Sequence, residues 1–200
     1  MSAREGSRLR GRPRDMLSDM AIRDAAWTLL AESGYDNLTF EAVAKLAGCG
    51  RATLYRRFDS KIELVTSLLL EHLRELEAIT PATSDPRSTI LAHVGNMIGI
   101  FGGPRGRAWL NVVNSSSRVQ ELRLRLEVTL GAGRQYYTSA FRKLMPGAKA
   151  PSVTLALNML IGTILHHVAA EQRRMTSAQL EALVEASISL LGSLSAARRR

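Results

Sequence analysis

A single cysteine in 200 residues excludes an internal disulfide framework and fits a reducing cytoplasm. Aromatic side chains are scarce at 5%, with two Trp, four Tyr and four Phe, so each large ring marks a position to follow. Acid is scarce relative to base. Eighteen Asp and Glu face 27 Lys and Arg, and the formal net charge of +9 points to a polyanionic partner. No segment alternates apolar and polar residues at period two, so no strand is predicted. Phosphate-cradling and nucleophile motifs are missing too: no G-x-G-x-x-G, Walker-type or G-x-S-x-G pattern occurs, and the glycines of 102–106 follow a predicted helix. An enzyme is therefore not expected. Four His and one Cys lie scattered. The adjacent His166 and His167 point about 100° apart on a helix, so neither a metal site nor a cofactor is expected.

Two segments imitate membrane signals. The start, MSAREGSRLRGRPRD, is cationic but leads into no apolar stretch, so it does not read as a secretory signal. Residues 150–170 hold no Asp, Glu, Lys or Arg, and about 20 residues suffice to cross a bilayer. Yet Pro151, Ser152, Thr154, Asn158, Thr163, His166 and His167 make that run polar. It reads as a helix buried in protein or at a subunit interface, with no membrane partner and a cytoplasmic location.

What is present reads as helix throughout. The fold class is all-α: a three-helix head and a larger helical body, about nine helices in all. Residues 1–14 form a flexible basic arm, 15–60 the head and 61–200 the body. Asp15 to Ser33 carries Met20, Ile22, Ala25, Ala26, Leu29 and Leu30 inward, and Gly34 stops it. Ser60 to Glu63 is a capping box opening a long helix, and Thr176 to Gln179 is a second. Asp85-Pro86 caps and opens another helix after a Pro- and Thr-containing linker.

The densest signal is residues 38–64, LTFEAVAKLAGCGRATLYRRFDSKIEL. Thr39 caps a helix whose Phe40, Val43, Ala44 and Ala47 recur at helical spacing. Gly48-Cys49-Gly50 makes a tight turn, because glycine accepts positive φ. A second helix over 51–58 sets Leu54 and Phe58 inward, leaving Ala52, Thr53 and Arg56 outward with Tyr55 and Arg57 flanking. An apolar inner face under an Arg/Thr/Tyr outer face is what a major groove accepts. The pair is predicted to be a helix-turn-helix.

This segment resembles the TetR family of bacterial transcriptional regulators. The resemblance rests on Gly34-Tyr35, Thr39, Ala47-Gly48-Cys49, the run Thr53-Leu54-Tyr55-Arg56-Arg57-Phe58, and Ser60-Lys61-Ile62-Glu63-Leu64, over about residues 15–70. Many members place Ser or Thr where this chain has Gly50. Glycine still caps adequately, and the hydroxyl's phosphate contact passes to a backbone N–H. By chemistry and resemblance together, Arg51 and Arg56 are candidates for reading guanine, and Ala52 and Thr53 for touching a thymine methyl. Tyr55, Lys61 and Thr39 are candidate phosphate anchors. Arg12 belongs to Arg10-Gly11-Arg12-Pro13-Arg14, which resembles an AT-hook core for a narrow minor groove; the alternative is a solvated tail raising non-specific affinity. Cys49 is read as a packed thiol.

The resemblance implies a body that dimerises and binds a small molecule. Residues 152–173 and 178–195 are the predicted dimer helices, the first apolar nearly all round. Met97, Phe101, Trp109, Tyr137, Met159 and His166 are the candidates for lining an apolar ligand pocket. The implied function is a sequence-specific regulator, a repressor released from a palindromic operator by a ligand. An architectural DNA-binding protein, a ligand-independent regulator and an activator remain alternatives.

Overall fold

The structure, a computed structural model, describes residues 12–78 and 84–196. These residues form α-helices joined by short turns, with no strand among them. Helix α1 spans Arg12–Asn37, α2 Phe40–Ala47, α3 Arg51–Tyr55 and α4 Lys61–Ala78. The body continues with α5 Pro86–Phe101, α6 Pro104–Ser116, α7 Gln120–Leu144, α8 Ala150–Ile164 and α9 Ser177–Ala196. A wide π-helical turn, Leu165–Ala170, extends α8.

Several boundaries differ from the sequence expectation, each for a local reason. α1 starts at Arg12, so Arg12, Pro13 and Arg14 are helical in the free chain rather than part of an extended arm; proline is at home in a first helical turn. The rest of the arm, with Arg10 and Gly11, lies outside the described residues. Gly34 breaks α1 as expected, at φ 76° and ψ 174°, a region open only to glycine. One further turn then carries the chain to Asn37. Met20, expected inward, is 57% exposed. Helix α3, expected over 51–58, ends at Tyr55. Its last turn tightens, with both the Arg57 and Phe58 amides donating to the Leu54 carbonyl at 2.9 Å.

The capping predictions hold in detail. Thr39 Oγ1 accepts from the Ala42 amide at 3.1 Å, and Gly48 closes α2 at φ 65° while the Cys49 amide reaches the Ala44 carbonyl at 3.0 Å. Ser60 Oγ accepts from the Glu63 amide at 3.1 Å; Glu63 reaches back to the Asp59 amide at 2.6 Å, one residue before the usual partner. Asp85 and the Thr176–Gln179 pair cap α5 and α9.

One apolar core runs through head and body. It links Ile22, Ala26 and Leu30 of α1 to Leu68 of α4, Val112 of α6, Leu122 and Phe141 of α7, and Leu160 of α8. The head–body joint is the packing of α6 along α1. Asn111 of α6 donates to the Leu30 carbonyl at 2.9 Å, and Arg118 pairs with Asp36 at 2.8 Å. The 21-residue stretch Ala150–Ala170 contains an 18-residue window with a mean hydropathy of 1.6 and has length enough to span a bilayer. Its Val153, Ala156, Leu157, Leu160 and Ile164 are instead packed into this core, and its open face shows Thr154, Asn158, Thr163 and His166 beside Leu155. It is a core helix.

Close approach at the start of α6 depends on Gly106, where an added Cβ would stand 1.9 Å from the Phe101 carbonyl oxygen. Gly106→Ala should cost more than about 3 kcal/mol, because the obstacle is backbone and cannot rotate away. Gly131→Ala, with no neighbour within 4 Å, should instead stabilise by about 0.5–1 kcal/mol through helix propensity. Urea denaturation of the two variants measures both.

Candidate nucleic-acid interface and ligand cavity

Helix α3 is held from below. Leu54 is completely buried, and the Arg57 guanidinium pairs with Asp19 at 2.8 Å and donates to Ser18 at 3.2 Å, fastening the end of α3 to α1. On the outer side Arg51, Ala52, Tyr55 and Arg56 are exposed, with Thr53 half-buried at the edge. The Tyr55 ring packs edge-on against Phe40 at 5.0 Å, which fixes its direction at low entropic cost. Thr39, exposed beside it, spends a lone pair on its cap and keeps its hydroxyl proton. Gly50 caps α3 through backbone alone, and its Cα faces open space.

Two residues carry duties that spacing alone does not reveal. Lys61 Nζ donates to the Tyr35 and Asp36 carbonyls at 3.0 and 3.3 Å and stands 4.3 Å from the Tyr35 ring centroid. It thereby caps the end of α1, whose last carbonyls have no helical partner. Partial burial lowers its pKa, opposed by Asp36. Two of its three N–H donors are thus engaged by these carbonyls. Glu41, in the first turn of α2, pairs across the turn with Arg51 at 3.5 Å; both are largely exposed. The pair is weak in water, but it preorients the guanidinium. Arg12's side chain lies outside what the structure describes.

The head's segment 22–68 matches the model of the bacterial regulatory proteins, tetR family. The match is confined to the head. The HTH-type transcriptional regulator Mb1581 of Mycobacterium bovis is 44% identical over 70 residues, 35% of this chain and 34% of that protein. YdeS of Bacillus subtilis, also named an HTH-type transcriptional regulator, is 32% identical over 113 residues, 56% of this chain and 57% of that one. The chain thus spans about a third and just over half of these two relatives. The likeness in fold extends much further. The transcriptional regulator FadR of Bacillus subtilis, solved in complex with stearoyl-CoA, superposes with a TM-score of 0.67 at 22% identity, over 86% of this chain and 97% of that one. That is the same all-α architecture, head and body together.

The body holds an apolar cavity of about 320 Å³ between α4, α5, α6, α7 and α8. Of the sequence candidates, Met97, Phe101, Trp109 and Tyr137 line it. Met159 and His166 do not. Each sits one position beyond a lining residue, Asn158 and Leu165, and so turns about 100° away. His166 is 72% exposed at the π turn, where it and His167 lie 3.4 and 3.6 Å from the Glu171 carboxylate. The cavity's polar groups are ones the sequence did not single out: Glu77, His93 and Asn158, joined by the Tyr137 hydroxyl, which donates to Met97 Sδ at 2.8 Å. Only three-dimensional packing brings them together. His93 is 2% exposed, its ring edge-on to Tyr137 at 4.5 Å, and burial lowers its pKa to about 4.

A histidine neutral in the native state and basic when unfolded makes acid destabilising. The unfolded chain takes up the proton near pH 6.5 and the folded chain only near 4, so stability is full above about 6.5 and is lost as pH falls between them. His93 should account for about 2 kcal/mol of lost stability at pH 5 relative to pH 7.5. His93→Phe should remove that share. Urea unfolding curves of both proteins at the two pH values measure it.

Proposed function

We propose that the protein is a sequence-specific DNA-binding regulator of transcription, a homodimeric cytoplasmic repressor that a small apolar ligand releases from a palindromic operator. The observation that carries the reading is the face of α3. Two guanidinium groups, a small apolar contact and a directed tyrosine stand on a helix anchored beneath by Leu54 and Arg57. Arg51 and Arg56 supply the bidentate donors that guanine O6 and N7 accept, Ala52 and Thr53 the apolar contacts that fit a thymine methyl. Thr39, Tyr55, Lys61 and the amide following Gly50 supply phosphate contacts that set register. The net charge of +9 supports attraction to the duplex.

The remaining parts rest on the body. A cavity of about 320 Å³ lies within the range of small-molecule sites, roughly 300–1,000 Å³. The similar fold of FadR, named with stearoyl-CoA, supports a ligand in the same body. The open face of α8 and the neighbouring face of α9, with Leu155, Met159, Leu183 and Ile188 incompletely covered, fits a partner protomer. Two heads about 34–36 Å apart would then read a palindrome.

Genome-wide binding followed by footprinting against competitor DNA tests the reading. A defined protected palindrome is expected, whereas uniform coating would establish an architectural protein instead. On that site Arg56→Ala should lose about 1–3 kcal/mol of discrimination against the wrong base pair. Lys61→Ala should weaken all sequences alike, reduce the salt slope by about one, and also lower the unfolding midpoint, since it uncaps α1.

A further inference from the structure

His72 on α4 is 2% exposed, belongs to neither the DNA face nor the cavity lining, and stands where head and body meet. Its ring lies edge-on to Trp27 of α1 at 5.4 Å and to Phe101 of α5 at 5.3 Å, with Trp109 of α6 at 6.4 Å. Phe101 and Trp109 are cavity walls, and Trp27 belongs to the first helix of the head. One imidazole therefore touches the ligand cavity's wall and the DNA-binding head together. Its Nδ1 faces two groups, Arg105 NH1 at 3.4 Å and Glu75 Oε2 at 3.6 Å. Arg105, at the start of α6, donates to the same Glu75 oxygen at 3.2 Å and stands 5.8 Å from the Trp27 ring centroid. Nε2 has no hydrogen-bond partner.

We infer that His72 is a proton-operated positioning residue at the head–body joint, and that protonating it lowers the protein's affinity for DNA. Arginine only donates, so in the neutral ring Nδ1 accepts from Arg105 and the ring proton sits on Nε2. A proton arriving from solvent binds Nδ1 and turns this acceptor into a donor. The Arg105 bond is lost, two cations now face each other, and Nδ1–H competes with Arg105 for Glu75. Arg105 is the side chain that joins the first turn of α6 to α1 and α4, so displacing it loosens the joint that sets the head. A cleft of about 140 Å³, lined by His72 and Arg105, gives the proton access.

Burial and the charges around the ring place the response below the ordinary imidazole value. α6 contributes Arg105 and α1 contributes Arg23 and Asp24, while α4 adds Glu71 and Glu75, with Arg23 and Glu71 paired to each other. α5 contributes the uncharged Phe101 ring. Burial, then Arg105, holds the His72 pKa below its ordinary value of 6.5, and Glu75 opposes them. The expected sign is informative. Acid ordinarily strengthens binding to DNA by adding positive charge, whereas this site predicts the reverse.

The inference rests on the DNA-binding reading, and two measurements on the full chain separate them. The two tryptophans, Trp27 and Trp109, both lie against His72, and imidazolium quenches indole more strongly than imidazole does. Intrinsic fluorescence should fall in one step centred below pH 6.5, with the far-ultraviolet dichroism unchanged across it. His72→Phe and His72→Gln, one keeping the ring and one keeping polarity, should both abolish the step, and His93→Phe should keep it. Affinity for the footprinted DNA should drop about tenfold across the same step, a typical coupling between sites, and stay flat or rise in both His72 variants. A step that coincides with loss of helix, a step surviving in His72→Phe, or a step without change in DNA affinity each overturns the inference. Loss of DNA binding at every pH overturns the regulator reading and this inference with it, while the fluorescence step still reports the protonation of His72.

Discussion

The contact on which the rest of the structure depends is α6 lying along α1. A three-helix head of some fifty residues buries too little apolar surface to stand firmly alone. α1 solves this by serving two cores, giving Ile22, Ala26 and Leu30 to a continuous apolar interior shared with α4, α6 and α7. The start of α6 is held equally close on another side, since Gly106 leaves no room for a methyl group beside Phe101 at the end of α5. Polar fasteners then fix the register along the seam: Asn111 on the Leu30 carbonyl and Arg118 on Asp36. Any change in the body that tilts α6 must therefore be felt by the head.

How far the sequence reveals this depends on whether the signal is local. Caps and turns are contacts between residues two to five apart, so Thr39, Gly48, Ser60, Asp85 and Thr176 could be read directly and stand where they were expected. The same locality makes the head's inner and outer faces legible, because Leu54 and its outward neighbours obey a single helical period. The wrong boundaries fall where a distant element or a special turn decides. Lys61 looks like a free surface cation until α1's carbonyls, 25 and 26 residues earlier, are brought beneath it.

The cavity shows the same limit. Four of its rings and thioethers were visible as large residues on core-facing helix positions. Met159 and His166 failed by a single position each, since one residue along a helix turns a side chain from the cavity to another face. His93, Asn158 and Glu77 gave no signal at all: they come from three helices and become a set only through tertiary packing. His72 belongs to the same category, a polar residue whose importance lies in what α1, α5 and α6 place around it.

The shortness of α3 carries a consequence of a different kind. In the proposed DNA reading, five helical residues, one of them sunk in the core, leave only a few side chains to interrogate base edges. At about 1–3 kcal/mol per well-placed bidentate contact, one head can reject wrong sequence over only a few base pairs. A genome offers about a million or more competing sites, so so short a word recurs by chance many times over. The brevity of this helix thus makes addressing a matter of repetition and spacing: a unique location calls for the same short word read twice, at a distance the body sets.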